Sequence, residues 1–256
     1  MPVRVRLHTD PACPASWAAE PALRRLWLKF GADLSITYVM GGLAREYGPP
    51  HEARVAEWLD HADRSGMPFD PRLWTEGPIR STYPACMAVK AAAEQGPEAE
   101  ARYLRALREG LMCLRRKLDA KEALVEEVRG AGLDVARFRN DLDSHAIVEA
   151  FGADLEATRA ASRELPFLVI EGEDERALGP GDDLQAALVE AGARAAKDPP
   201  LDPLAALRRF GRMATAEIEA VCDLPGPRAR AELWRLAADW RIKPLRVLTG
   251  TLWELA

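Results

Sequence analysis

Cysteine, proline and serine meet once in this sequence in an arrangement suited to sulfur chemistry, Cys13-Pro14-Ala15-Ser16. The tetrapeptide follows an alternating segment, Val3–Thr9, that predicts a strand. It precedes a stretch in which Trp17, Leu23, Leu26, Trp27 and Phe30 recur at helical spacings. Pro14 suits a first helical position, where a missing N–H costs nothing. A cysteine at this junction faces the unpaired N–H groups of the first turn and the positive end of the helix dipole, both of which favour a thiolate. The thiolate is the attacking form in disulfide exchange, so the placement predicts a reactive Cys13. A small apolar residue packed at a helix start is the competing reading. A second proline, Pro166, opens the apolar run Phe167-Leu-Val-Ile. Proline is tolerated only at a strand's first residue or an edge, and here it is compatible with a cis bond in a tight turn or a plain trans start.

The elements needed to hold these residues are legible. Leu34–Met40 predicts a second strand, so residues 3–40 form a strand–helix–strand unit with a parallel pair. From about 44 to 160 the pattern is helical, with candidates at Ala53–Ser65, Tyr83–Gln95, Pro97–Lys117, Ala120–Ala131, Asp134–Leu142 and His145–Arg163. Asp134 and Ser144 are the expected N-caps there. The segment Met67–Pro78, rich in Pro, Trp and Gly, predicts an ordered loop. Strand character returns at Pro166–Gly172 and near Arg176–Leu178, followed by a helix at Asp182–Arg194. Strands split by a helical block indicate an insertion within one α/β domain: the core at 1–43 and 161–197, the insertion at 44–160. Asp198-Pro-Pro-Leu-Asp-Pro marks the boundary of a C-terminal extension, 198–256. Its helices near 204–212, Thr215–Cys222 and Pro227–Trp240, then a hairpin of Ile242–Leu248 and Thr251–Leu255, follow winged-helix order.

Composition bounds the function. The 256 residues are 48% hydrophobic and 29% charged, with a net charge of −5 and a mean hydropathy of −0.21, as in a soluble globular protein. No run approaches the ~18 apolar residues of a membrane span, and no signal-peptide pattern is visible. Four cysteines, at 13, 86, 113 and 222, are too few for a disulfide framework. They predict thiols in a reducing, cytoplasmic setting. The net negative charge argues against nucleic acid as the main partner. The tail alone carries a small positive excess, with Arg228, Arg230 and Arg235 on its amphipathic third helix, too little for a DNA-binding footprint. His8, His51, His61 and His145 are scattered without metal-ligand spacing, so no metal site is expected.

As a set, Asp10-Pro-Ala-Cys13-Pro14-Ala-Ser16-Trp17 and Glu164-Leu165-Pro166-Phe-Leu-Val-Ile-Glu-Gly172 resemble the active-site turn and cis-proline strand of the thioredoxin superfamily. Ser81-Thr-Tyr-Pro-Ala-Cys-Met-Ala-Val-Lys-Ala-Ala and Gly132-Leu-Asp-Val-Ala-Arg-Phe narrow the resemblance to the DsbA-like branch. That branch includes FrnE-type oxidoreductases, kappa-class glutathione transferases and 2-hydroxychromene-2-carboxylate isomerases. The resemblance implies a thioredoxin-like α/β fold with a large helical insertion. It makes Cys13 the nucleophile, Ser16 a hydrogen-bond donor to its sulfur and Pro166 a cis residue. Pro14, Trp17 and Leu165 would then flank the substrate. The family's pattern is C-x-x-C, and Ser16 stands where the second cysteine belongs. A lone thiol stops at a mixed disulfide, which glutathione, another external thiol or Cys86 folded over the site would have to resolve.

The leading expectation is therefore a single-cysteine thiol-disulfide oxidoreductase acting on protein or small-molecule thiols and disulfides. No cofactor is bound in this reading, and glutathione serves as a co-substrate. One alternative is a glutathione-dependent transferase or isomerase. Another is a non-catalytic adaptor that binds a protein while the thiol is idle. A homodimer is left open. His8 is expected to be a hydrogen-bonded structural residue, and Glu20 a solvated helix charge unless it relays protons near the thiol. Trp58, Phe69, Trp74 and Tyr83 line either an apolar cleft or the core.

Overall fold

Why the chain folds around β1 (Val3–Thr9) is clear from its neighbours in the computed structural model, which describes residues 2–172, 174–196 and 199–256. β1 runs parallel to β2 (Leu34–Met40), Val3 opposite Leu34 and Thr9 opposite Met40. On its other edge β3 (Phe167–Ile170) is antiparallel, with His8 opposite Phe167. β4 (Arg176–Leu178) closes the sheet in the order β2-β1-β3-β4. The boundary expected at 197/198 lies outside the described residues.

The single helix expected from Pro14 to Phe30 is two, α1 (Pro14–Ala18) and α2 (Glu20–Phe30), separated at Ala19. Pro21 explains the break: it has no N–H for the carbonyl of Trp17, and its ring crowds that carbonyl. Leu23, Leu26 and Phe30 of α2 are buried in a core shared with the sheet. Each such side chain contributes roughly 1.5–3 kcal/mol.

Between β2 and β3 come α3 (Glu52–Ser65), α4 (Leu73–Glu76), α5 (Tyr83–Ala93), α6 (Pro97–Met112), α7 (Lys121–Gly130), α8 (Val135–Leu142) and α9 (His145–Ala161). Asp134 caps α8 by accepting the N–H groups of Ala136 and Arg137, whereas Ser144 stands at the start of α9 without a side-chain cap bond. The helix expected to run to Lys117 stops at Met112, and Arg115 is left-handed at φ 54°. The loop before α5 contains the short α4, which no periodicity announced. These helices share one hydrophobic core with the sheet, in which Trp58, Phe69 and Trp74 are buried beside Leu7 and Ile170. The three aromatics are core residues, and Tyr83 packs edge-on against Phe151 with centroids 5.0 Å apart.

After β4 come α10 (Leu184–Glu190) and the tail: α11 (Pro203–Phe210), β5 (Met213–Ala214), α12 (Thr215–Cys222), α13 (Gly226–Ala238), β6 (Ile242–Val247) and β7 (Gly250–Leu255). The expected hairpin is present, and its sheet has the order β5-β7-β6. β5 has two residues, too few to show alternation. The tail keeps a small core of its own around Leu207, Ile218, Leu233 and Trp253. It docks through α12 on α2, and through the hairpin turn, where Phe69 N–H donates to the Thr249 hydroxyl at 2.7 Å. A Cβ on Gly250 would lie 3.2 Å from that of Pro68, so glycine lets the turn seat there. Trp240, expected to end the tail's third helix, is 87% exposed. It lies beyond the helix end at φ 56°, where the chain reverses into β6.

Candidate functional site

Cys13 is the N-cap of α1, and its sulfur accepts a hydrogen bond from the Ser16 N–H at 3.4 Å. Its S–H donates to the Leu165 carbonyl, 3.8 Å away. The Leu165–Pro166 bond is cis. Two pairs about 150 residues apart in sequence, Cys13 with Ser16 and Leu165 with Pro166, thus come together, with Pro14 at the first position of α1. They are not open to solvent. Cys13 is 3% exposed, Pro14, Ser16 and Pro166 are buried, and Leu165 is half-buried.

Trp17 is not part of this surface. Its side chain is wholly buried, its indole N–H donates to the Pro68 carbonyl at 2.9 Å, and the Arg105 guanidinium sits 4.4 Å from its ring. The expected substrate contact is a core anchor, which joins α1 to the loop that receives the tail's hairpin.

The thiol's electrostatics reverse the expectation from helix position. Burial pushes Cys13 up to about 11; the Ser16 hydroxyl and N–H pull it down, Asp10 pushes it further, and Arg108 draws it back. α1 is five residues long, so few peptide dipoles align behind the sulfur. Removing water from around a thiolate outweighs them.

Three residues behind the turn were not singled out from sequence. Asp10 is fully buried, and its carboxylate accepts from Ala12 N–H at 2.7 Å, Leu43 N–H at 2.7 Å, the Thr82 hydroxyl at 2.7 Å and the Cys86 thiol at 3.3 Å. Burial raises its pKa, and these donors partly offset the rise. Thr9 donates its hydroxyl to Ser16 at 2.8 Å and receives a hydrogen bond from Arg108. Arg108 also binds Glu20. Donors therefore run inward from Arg108 through Thr9 to Ser16. Glu20 is not solvated: Arg108, Arg105 and Arg24 hold its carboxyl below the usual range despite burial. Asp10 immediately precedes Pro11 in the turn, the one signal available; nothing in the sequence pointed to Arg108.

Cys86 is fully buried with its thiol committed to Asp10, and burial pushes it well up, so it is not poised to resolve a mixed disulfide. All four cysteines are free and buried. His8 stacks on Phe167 with centroids 4.1 Å apart, and its Nδ1 is 2.8 Å from the Thr158 hydroxyl. It is a hydrogen-bonded structural residue, neutral at physiological pH.

The loop after β2 closes over the turn. Gly41 N–H donates to the Thr9 carbonyl at 2.7 Å, and Leu43 N–H reaches Asp10. Gly42 has φ 61°, and a Cβ there would lie 2.4 Å from Leu155. Beside Ser16 and Pro166 a largely apolar cleft of about 300 Å³ extends past Leu23, Leu168 and Pro180. The site offers a recess for an apolar side chain beside a screened, protonated thiol.

Residues 7–177 match the family model described as thioredoxin. Among curated proteins, the chain is 29% identical over 271 residues to the ClpXP adapter protein SpxH of Halalkalibacterium halodurans, covering 99% of this chain and 89% of that one. Among solved structures, it resembles a putative protein disulfide isomerase from Nitrosomonas europaea, with a TM-score of 0.66, 21% identity, and 74% of this chain and 95% of the other covered. It also resembles the cytosolic disulfide reductase DsbM from Pseudomonas aeruginosa, with a TM-score of 0.63, 19% identity, and 74% and 98% covered. At these identities the structural likeness speaks for the fold.

Proposed function

We propose that this chain, which belongs to the thioredoxin family, is a protein-binding adaptor of the kind its curated relatives are named for, a ClpXP adapter. The observation that carries this reading is the state of Cys13. The residue is 3% exposed and its S–H is given to Leu165. No second cysteine follows at 16, and Cys86 is engaged elsewhere. An exchange enzyme needs an accessible thiolate, whereas an adaptor needs a stable shaped surface. The extent of the likeness supports the same reading. SpxH aligns along 99% of the chain, tail included, while the disulfide isomerase-like and reductase structures cover 74% of it. Four free, buried cysteines accord with a reducing cytoplasmic setting.

A second reading keeps the thiol in play. The sulfur's seat between the Ser16 N–H and the carbonyl preceding Pro166 favours a single-cysteine exchange with glutathione or a protein disulfide, provided the loop over the turn opens. One experiment separates the two. Full-length protein, wild type and Cys13→Ala, is immobilised and purified ClpXP is passed over it, while both proteins are assayed for insulin reduction with glutathione. The adaptor reading expects equal ClpXP binding and no reductase activity above background. Absent ClpXP binding together with reduction lost in Cys13→Ala would establish the oxidoreductase instead.

A further inference from the structure

A second cavity, of about 250 Å³, lies where α2, α6 and α11 meet, with Leu23 and Arg108 forming a wall shared with the cleft beside Pro166. Five guanidiniums line it, Arg24, Arg102, Arg105, Arg108 and Arg209, against one carboxylate, Glu20. Most of the surrounding charge is matched. Arg24 and Arg105 share Glu217, Arg105 also binds Glu109, and Arg108 binds Glu20. The balance ends at the rim. Arg209 forms no ion pair among the described residues and lies over the Phe210 ring at 5.4 Å, with Arg24 over the same ring at 5.1 Å. Arg102 donates its Nε–H to the Ala131 carbonyl at 3.3 Å, and its one carboxylate partner among the described residues is Glu98, 3.9 Å away and largely exposed. Arg108 is 2% exposed, and its Nε–H has no hydrogen-bond partner among the described residues. Buried donors are seldom left so. The remaining wall is apolar, with Leu23, Trp27 and Phe210.

Surplus guanidiniums beside an indole and a phenyl ring suit an acid group on an apolar body, since arginine forks match carboxylate and phosphate oxygens. We infer that this cavity binds a small organic anion, a carboxylate or phosphate monoester, with its acid on Arg102, Arg108 and Arg209 and its body against Trp27 and Phe210. Because Arg209 and Phe210 belong to the tail and the other walls to α2, α6 and Tyr38 of β2, the ligand fastens the tail to the thioredoxin unit. Binding to the docked state alone raises thermal stability. The inference does not depend on the adaptor reading.

The test is calorimetric titration of the full chain with phenyl phosphate, with phenylacetate beside it to distinguish the head groups. Arg102→Ala/Arg209→Ala removes two exposed rim residues, and Arg208→Ala, on the same helix but outside the cavity, is the control. Circular dichroism checks that each variant is folded. The expectation is saturable binding by at least one of the two aryl anions with Kd below about 1 mM, weakened at least about tenfold in the double variant and unchanged in Arg208→Ala. The tighter-binding aryl anion should also raise the melting temperature. Absence of saturation by about 10 mM for both aryl anions, or wild-type affinity in the double variant, overturns the site. Inorganic phosphate binding as tightly as the aryl anions would overturn the apolar half of it.

Discussion

Arg105 and Glu217, 112 residues apart, meet through two hydrogen bonds of 2.8 and 2.9 Å. Arg24 closes on the same carboxylate, which is wholly buried. Glu217 also accepts the Ala214 N–H at 2.6 Å, so one side chain caps α12 and ties it to α2 and α6.

Removing that carboxylate should loosen the tail. Glu217→Ala leaves two buried guanidiniums without it, a change that typically costs about 3–5 kcal/mol. Urea unfolding is expected to show a loss of this size, and an unchanged midpoint would mean that apolar packing of α12 on α2 suffices.

Cys13 should alkylate slowly. With its pKa pushed up to about 11, only about one thiol in ten thousand is ionised at pH 7. Iodoacetamide labelling followed by peptide mass spectrometry should give a rate that keeps climbing past pH 9; a plateau near pH 8.5 would show an ordinary exposed thiol. The same shift has a stability consequence. Between about 9 and 11 the unfolded thiol is ionised while the folded one is not, so stability falls as pH rises through that window.

Acid should weaken the protein through His8. Burial, then the Arg6 guanidinium, push its pKa down to about 4. The unfolded chain binds this proton near pH 6.5, so the contribution is complete above 6.5 and lost as pH falls toward 4. Glu100, raised by burial to about 7, acts in the opposite sense, becoming less destabilising as pH falls from 7 toward 4.5. The comparison is therefore with His8→Phe, which keeps a ring against Phe167. Its unfolding free energy should fall less between pH 7 and 4, and parallel slopes would exclude His8 as the acid-sensitive group.

Ser16→Cys should restore a dithiol. Residue 16 already places its N–H 3.4 Å from the Cys13 sulfur. On oxidation the variant is expected to form an internal disulfide, and insulin reduction should rise at least about tenfold over wild type. A variant that stays reduced, or closes without gaining activity, would show that burial of the turn blocks exchange whatever stands at 16.

Local pattern carried much of the architecture. Alternation at Val3–Thr9 and Leu34–Met40, helical spacing through the middle of the chain and the C-terminal hairpin all correspond to observed elements, the hairpin turning at Leu248-Thr249. The misses have local causes too: Pro21 divides a helix, and β5 is too short to alternate. The site was half legible. Cys13, Ser16 and Pro166 are neighbours as the motif resemblance implied, but Trp17 faces the core and Arg108 gave no sign of reaching Thr9.

Sequence by itself determined which atoms are available: one cysteine at a helix start, a serine where a second would stand, and a proline opening a later strand. Those are properties of residue type and spacing. Only tertiary structure decided what the sulfur is. The loop after β2 and the carbonyl of Leu165 close around Cys13, Asp10 lies beneath it, and α1 ends after five residues. Whether a thiol ionises depends on the water and charges around it, and here these come from segments up to 152 residues away.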